Sequence, residues 1–169
     1  MNRVVVLLLC ILYLLMGSPA FLLSSETPDI IKAVTYHWFH ANVFHLSANC
    51  LSFWLVYKST PRRREKENIR QFVISFLIGT VVFFCSTRPI IGISNILFAT
   101  IGLRTPSFRS DWWKRPETLV FIATTIILLM VPQISSVTHI ISFIIGVSIA
   151  VMKRKITRIK NDYRHAAHK

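Results

Sequence analysis

The stretch Pro89-Ile90-Ile91-Gly92-Ile93-Ser94-Asn95-Ile96-Leu97-Phe98-Ala99-Thr100-Ile101-Gly102-Leu103-Arg104 decides how this chain folds. From Ser94 to Leu103 it holds ten residues before the first charge. As a helix rising about 1.5 Å per residue it is about 15 Å long, half of a hydrocarbon core of about 30 Å. Inside a membrane such a helix runs from one face to the middle and stops. Residues 89–93 must then enter the bilayer as non-helical backbone, which is tolerated only within protein or beside a water-filled cavity. Ser94 thus opens a helix below the membrane surface and next to water, and Gly92 allows close backbone approach just before it.

The rest of the chain places this stretch in a membrane. Of 169 residues, 53% are hydrophobic and 16% charged, poorer in charge than a soluble domain of this size. Apolar runs occur at 4–23, 41–57, 71–87, 93–103, 118–132 and 136–152. The net charge of +13 raises a nucleic-acid reading, but the basic residues stand in short blocks between apolar runs. With six membrane segments and a cytoplasmic N-terminus, the inside sections are 1–3, 58–70, 104–117 and 153–169. They hold 18 of the 20 Lys and Arg residues, leaving only Lys32 and Arg88 outside. That distribution satisfies the positive-inside rule and predicts an even number of crossings with both termini cytoplasmic. The blocks are topology signals with a lipid-facing use and call for no nucleic-acid partner.

Two segments need separate reading. The first run has the outline of a signal peptide, with Arg3, an apolar core from Val4 to Leu15 and the small patch Gly17-Ser18-Pro19-Ala20. The apolar run resumes at Phe21-Leu22-Leu23 and the chain beyond is itself membranous, so it is taken as a retained span. The expected organisation is a transmembrane domain over 1–152 and a basic cytoplasmic tail, a frayed surface helix, over 153–169. Cys10, Cys50 and Cys85 all lie in apolar runs without metal-ligand spacing and read as small apolar side chains.

Polar groups inside apolar spans are costly, so each is a functional candidate. His45 and Asn49 are four apart and share a helical face, with His40 either off that face or at the helix mouth. His139 lies about one turn into the last span. Under the topology above, Ser94, His139, His45 and Asn49 all stand in the outer half of the membrane. A serine and a histidine at one depth form a nucleophile and base pair, and Asn49 and His45 are donors able to hold an oxyanion. Taken singly, each has a plainer use: an intramembrane histidine often bonds between helices, and a serine at a helix start is often a cap. A metal site of His37, His40 and His45 fails on spacing, since three then five residues do not share one face and no carboxylate accompanies them. The expected metal and cofactor content is none.

These residues resemble the rhomboid intramembrane serine proteases. The match consists of His40, His45 and Asn49 on the second span, Gly92-Ile93-Ser94 opening the fourth, and His139 with Gly146 seven later on the sixth. Its order covers nearly the whole chain and is specific as a set. It implies an all-α, rhomboid-like bundle of six transmembrane helices whose short fourth helix starts mid-membrane, in a multi-pass protein of a bacterial plasma membrane. It further implies a Ser-His dyad, with Ser94 as nucleophile and His139 as general base. His45, Asn49 and the Ser94 backbone N–H would form the oxyanion hole, Phe98 would pack on the His139 ring, and His40 and Gly92 would support the site. The implied activity is endopeptidase cleavage of a transmembrane or juxtamembrane segment in a single-pass membrane protein.

Three departures stand out. Asn95 occupies a position where the family pattern has glycine, placing bulk where helix packing or a substrate path would feel it. Ser142 replaces a glycine three residues after the histidine, and the first outside loop, 24–40, lacks the family's Trp-Arg pair. They motivate a rival reading, a rhomboid-like pseudoprotease that binds membrane helices without cutting them. A small transporter or channel is disfavoured because the polar groups stop in the outer half.

Overall fold

The computed structural model describes residues 2–16, 29–58, 65–86, 90–105 and 136–167, with the isolated positions 114, 118–119, 122–123 and 126. Among the described residues there is no strand, and the fold is all-α. Helix α1 runs Asn2–Met16, α2 Ile30–Thr35, α3 Val43–Lys58, α4 Glu65–Phe84, α5 Ser94–Arg104 and α6 Ser136–Ala167, with a 3-10 turn at Tyr36–Trp38. Five of the six expected spans have a described helix. The expected span at 118–132 falls mostly outside the described residues, although 118–119, 122–123 and 126 are helical.

Among the described residues two helices, Glu65–Phe84 and Val137–Ala166, are long and apolar enough to cross a membrane, and Val4–Leu15 and Val43–Tyr57 are shorter apolar helices. The large apolar side chains that face outward, among them Leu7, Leu14, Leu77, Val81, Ile140 and Ile144, lie exposed. So much exposed apolar surface is foreign to a water-soluble monomer and suits contact with lipid chains.

The short helix α5 is the centre of the bundle. Every residue from Ser94 to Gly102 is buried, enclosed by α3, α4 and α6. Its closest neighbour is α6, and glycine makes that approach possible. A Cβ on Gly102 would run into the Phe143 carbonyl, and one on Gly146 into the Ala99 carbonyl. Backbone-to-backbone packing of this kind is how membrane helices associate when hydrophobic burial supplies no driving force between them. On its α3 side, Ile93, Ile96, Leu97 and Ile101 join Val5, Leu9, Leu46, Phe53, Val56 and Tyr57 in one apolar core. The polar Thr100 is satisfied there by donating to Ser75 Oγ at 2.9 Å and by pairing with Tyr57 at 3.2 Å.

Four features differ from the sequence reading. The third span begins at Glu65, inside the basic section, because Glu67 accepts from Lys153 Nζ of α6 at 3.0 Å and acidic residues suit a helix N-terminus. Arg104 ends α5 as more than a topology signal: its guanidinium donates to Gln71 Oε1 at 2.9 Å, Asn68 Oδ1 at 3.1 Å and the Val56 carbonyl. Part of the first outside section is folded into the bundle, with Ala33, Tyr36, His37, Phe39 and His40 all buried. Helix α6 runs on past Lys153 to Ala167 without a break, its residues 151–166 exposed.

Candidate active site

Ile90 and Ile91 approach the centre of the bundle as irregular backbone, and Gly92 turns the chain with φ +101°. Only glycine adopts that conformation without strain. Ile93 follows as the N-cap residue and Ser94 is the first residue of α5. The serine side chain sits at the positive end of a helix with no side-chain cap bond from Ile93.

His139 meets Ser94 from α6. It is the fourth residue of that helix, and its Nε2 lies 2.6 Å from Ser94 Oγ, the serine 4% and the histidine 1% exposed. In the tautomer that leaves Nε2 free to accept, the Ser94 hydroxyl donates into the imidazole. Phe98, one turn after Ser94, lies 4.8 Å from the His139 ring, centroid to centroid, and limits its swing.

Helix α3 brings two donors to the same turn. Asn42 caps it, its Oδ1 accepting the His45 N–H at 2.9 Å, which fixes His45 in the first turn. The Ala41 N–H donates to His45 Nδ1 at 3.4 Å. With Nδ1 accepting, the ring proton is on Nε2. That Nε2 and Asn49 Nδ2 both point at Gly92: each is 3.0 Å from where a Cβ on that glycine would stand. Asn49 is 4% exposed, and its Nδ2 has no acceptor among the described residues. A buried amide donor without an acceptor is rare in a native fold and marks a place where another acceptor fits. Two N–H donors therefore converge on the backbone at Gly92, two residues before the serine.

The other candidates are placed as follows. His40 precedes α3 and stands edge-on to His45 at 5.2 Å, at the helix mouth. His37 is turned the other way, onto α4, where its Nε2 lies 3.4 Å from Thr80 Oγ1. Among the described residues no group of His, Cys, Asp or Glu is arranged to hold a metal ion. Ser142 is fully buried one turn after His139, and Gly146 makes the close α5–α6 approach described above. The bulk of Asn95 is absorbed in the interior: it is fully buried, and its Nδ2 donates to Tyr36 Oη at 3.1 Å. Tyr36 was not singled out from the sequence, and nothing in its spacing to Ser94 or His139 marks it.

A serine hydroxyl held to an imidazole, with two donors and a helix N-terminus close by, forms an arrangement suited to acyl transfer. Residues 27–156 match the model of the family described as Rhomboid domain. No curated protein and no solved structure matches the chain.

Proposed function

The chain belongs to the rhomboid family of membrane-embedded proteases and pseudoproteases, and from that premise we propose that it is an intramembrane serine endopeptidase. The observation that carries the reading is the 2.6 Å approach of His139 Nε2 to Ser94 Oγ in a buried site. Ser94 Oγ attacks the substrate carbonyl as His139 takes its proton. The resulting oxyanion is met by His45 Nε2–H, Asn49 Nδ2–H and the Ser94 N–H, at the positive end of α5. His139 then protonates the departing amine, and the same histidine activates the water that hydrolyses the acyl-enzyme. No acidic residue lies in the apolar runs, so the proposed machinery is a dyad rather than a triad.

The substrate proposed is the membrane-spanning or juxtamembrane segment of a single-pass protein. A helix keeps its carbonyls bonded internally, so the cleaved segment must unwind, which small or helix-breaking residues favour. The positive-inside distribution supports six crossings with both termini cytoplasmic and the site in the outer half of the bilayer.

Reaction with a fluorophosphonate probe separates protease from pseudoprotease without knowledge of the substrate. A peptide map carrying the adduct on Ser94, with labelling lost in His139→Ala, is the expected result. A wild-type protein that stays unlabelled under conditions where a control serine hydrolase reacts fully would leave the helix-binding pseudoprotease as the better reading.

A further inference from the structure

Tyr36 touches the segment carrying Ser94 at both of its ends. Its main-chain carbonyl accepts the Gly92 N–H at 2.9 Å. Its side-chain hydroxyl accepts from Asn95 Nδ2 at 3.1 Å and donates to the Gly79 carbonyl of α4 at 2.9 Å. The direction is forced. A carbonyl can only accept, so the single hydroxyl proton goes to Gly79 and the amide must be the donor to Tyr36. Gly92 and Asn95 enclose Ile93 and Ser94, so one residue holds both ends of the four-residue segment and ties it to α4.

The anchor is itself rigid. The Tyr36 ring is 5% exposed, lies 3.8 Å from the His37 ring and stacks on Phe83 at 5.2 Å. Gly79 leaves the space it needs, since a Cβ there would stand 2.5 Å from His37 Cε1 and 3.2 Å from Tyr36 Oη. Tyr36 and Asn95 reach Ser94 through the backbone of the turn that carries it. We propose that Tyr36 and Asn95 are a paired positioning device, a buried Asn95–Tyr36–Gly79 relay that sets where the Ser94 hydroxyl stands relative to His139 and the two donors. The pair works as a unit. Without the Tyr36 hydroxyl, the Asn95 amide is a buried donor with no acceptor and pulls on the turn. Without Asn95, the hydroxyl holds α4 but no longer reaches α5. This inference rests on the reading of Ser94 as nucleophile.

The test is a double-mutant cycle in proteoliposomes with Tyr36→Phe, Asn95→Gly and the double variant. It measures kcat and KM on a transmembrane substrate, the rate of fluorophosphonate labelling and the melting temperature. Each single change should lower kcat and the labelling rate by about tenfold with KM within about twofold, because the turn moves and the substrate surface does not. The double variant should cost no more than the worse single. Effects on kcat that multiply, singles indistinguishable from wild type, or losses that fall on KM would each overturn the pairing. Should Tyr36→Phe not fold, Asn95→Gly alone must still lower kcat and the labelling rate in protein that stays folded at the assay temperature, and failure to do so overturns it. A wild type that neither cuts nor labels removes the catalytic reading and this device with it; an active wild type with multiplying variants removes the device alone.

Discussion

Gly92→Ala is a methyl-sized change that should disable the proposed oxyanion donors while leaving Ser94 and His139 in place. The added Cβ would stand 2.9 Å from His45 Cε1 and 3.0 Å from both His45 Nε2 and Asn49 Nδ2. Ordinary contact begins near 3.4 Å, so both side chains must retreat by several tenths of an ångström at the point where they would meet the oxyanion. In addition, φ +101° is a conformation that an L side chain takes only with a strain of about 1–2 kcal/mol. Losing one oxyanion donor typically costs about 10²–10³ in kcat, and here two are displaced. We expect kcat on a fluorogenic transmembrane peptide in proteoliposomes to fall by about 10²-fold or more, with KM little changed. Melting in detergent should drop by only a few degrees, consistent with a strain of that size. Asn49→Ala removes one donor without adding bulk and should lose about 10²-fold by itself. Turnover within about threefold of wild type by both variants would refute the assignment of these donors.

Other expectations follow from the packing. Phe98→Leu keeps most of the volume but loses the ring contact with His139, worth about 0.5–1.5 kcal/mol, so the labelling rate of Ser94 should fall by about tenfold or less. Ser142 Oγ is buried with no partner among the described residues, so Ser142→Ala should be neutral or raise the melting temperature, with activity retained. Gly146→Val should drive α6 from α5, where its first added carbon meets the Ala99 carbonyl. It should lower the melting temperature and abolish labelling of Ser94 together, since α6 also carries His139.

The central feature was legible because it depends on length. Ten uncharged residues between Ile93 and Arg104 can only make a half-length helix, and α5 is that helix with Ser94 at its first position. The last span was equally plain, since its apolar run begins at residue 136 and places His139 one turn in, as α6 does. The start of α4 was not legible, because Glu65, Lys66, Glu67 and Arg70 read as a loop until Lys153 pairs with Glu67 and Arg104 with Asn68 from other helices. The direction of Asn95 was hidden for a related reason. Its neighbour Ser94 faces α6, but which element receives the next residue around α5 depends on where Tyr36 is folded in. That is a matter of tertiary packing across 59 positions of sequence. The turn at Tyr36–Trp38 was hidden too, since short polar-aromatic segments carry no periodicity to read.

The most direct measurement of the central claim is cleavage of a single-span substrate in proteoliposomes by the wild type and by Ser94→Ala. Several substrates with small-residue spans should be used, since the site itself does not name one. The wild type should cut within or beside the span, and Ser94→Ala should not cut. Equal cutting by both would contradict the assignment of Ser94, and no cutting by either across the whole set would contradict the protease reading.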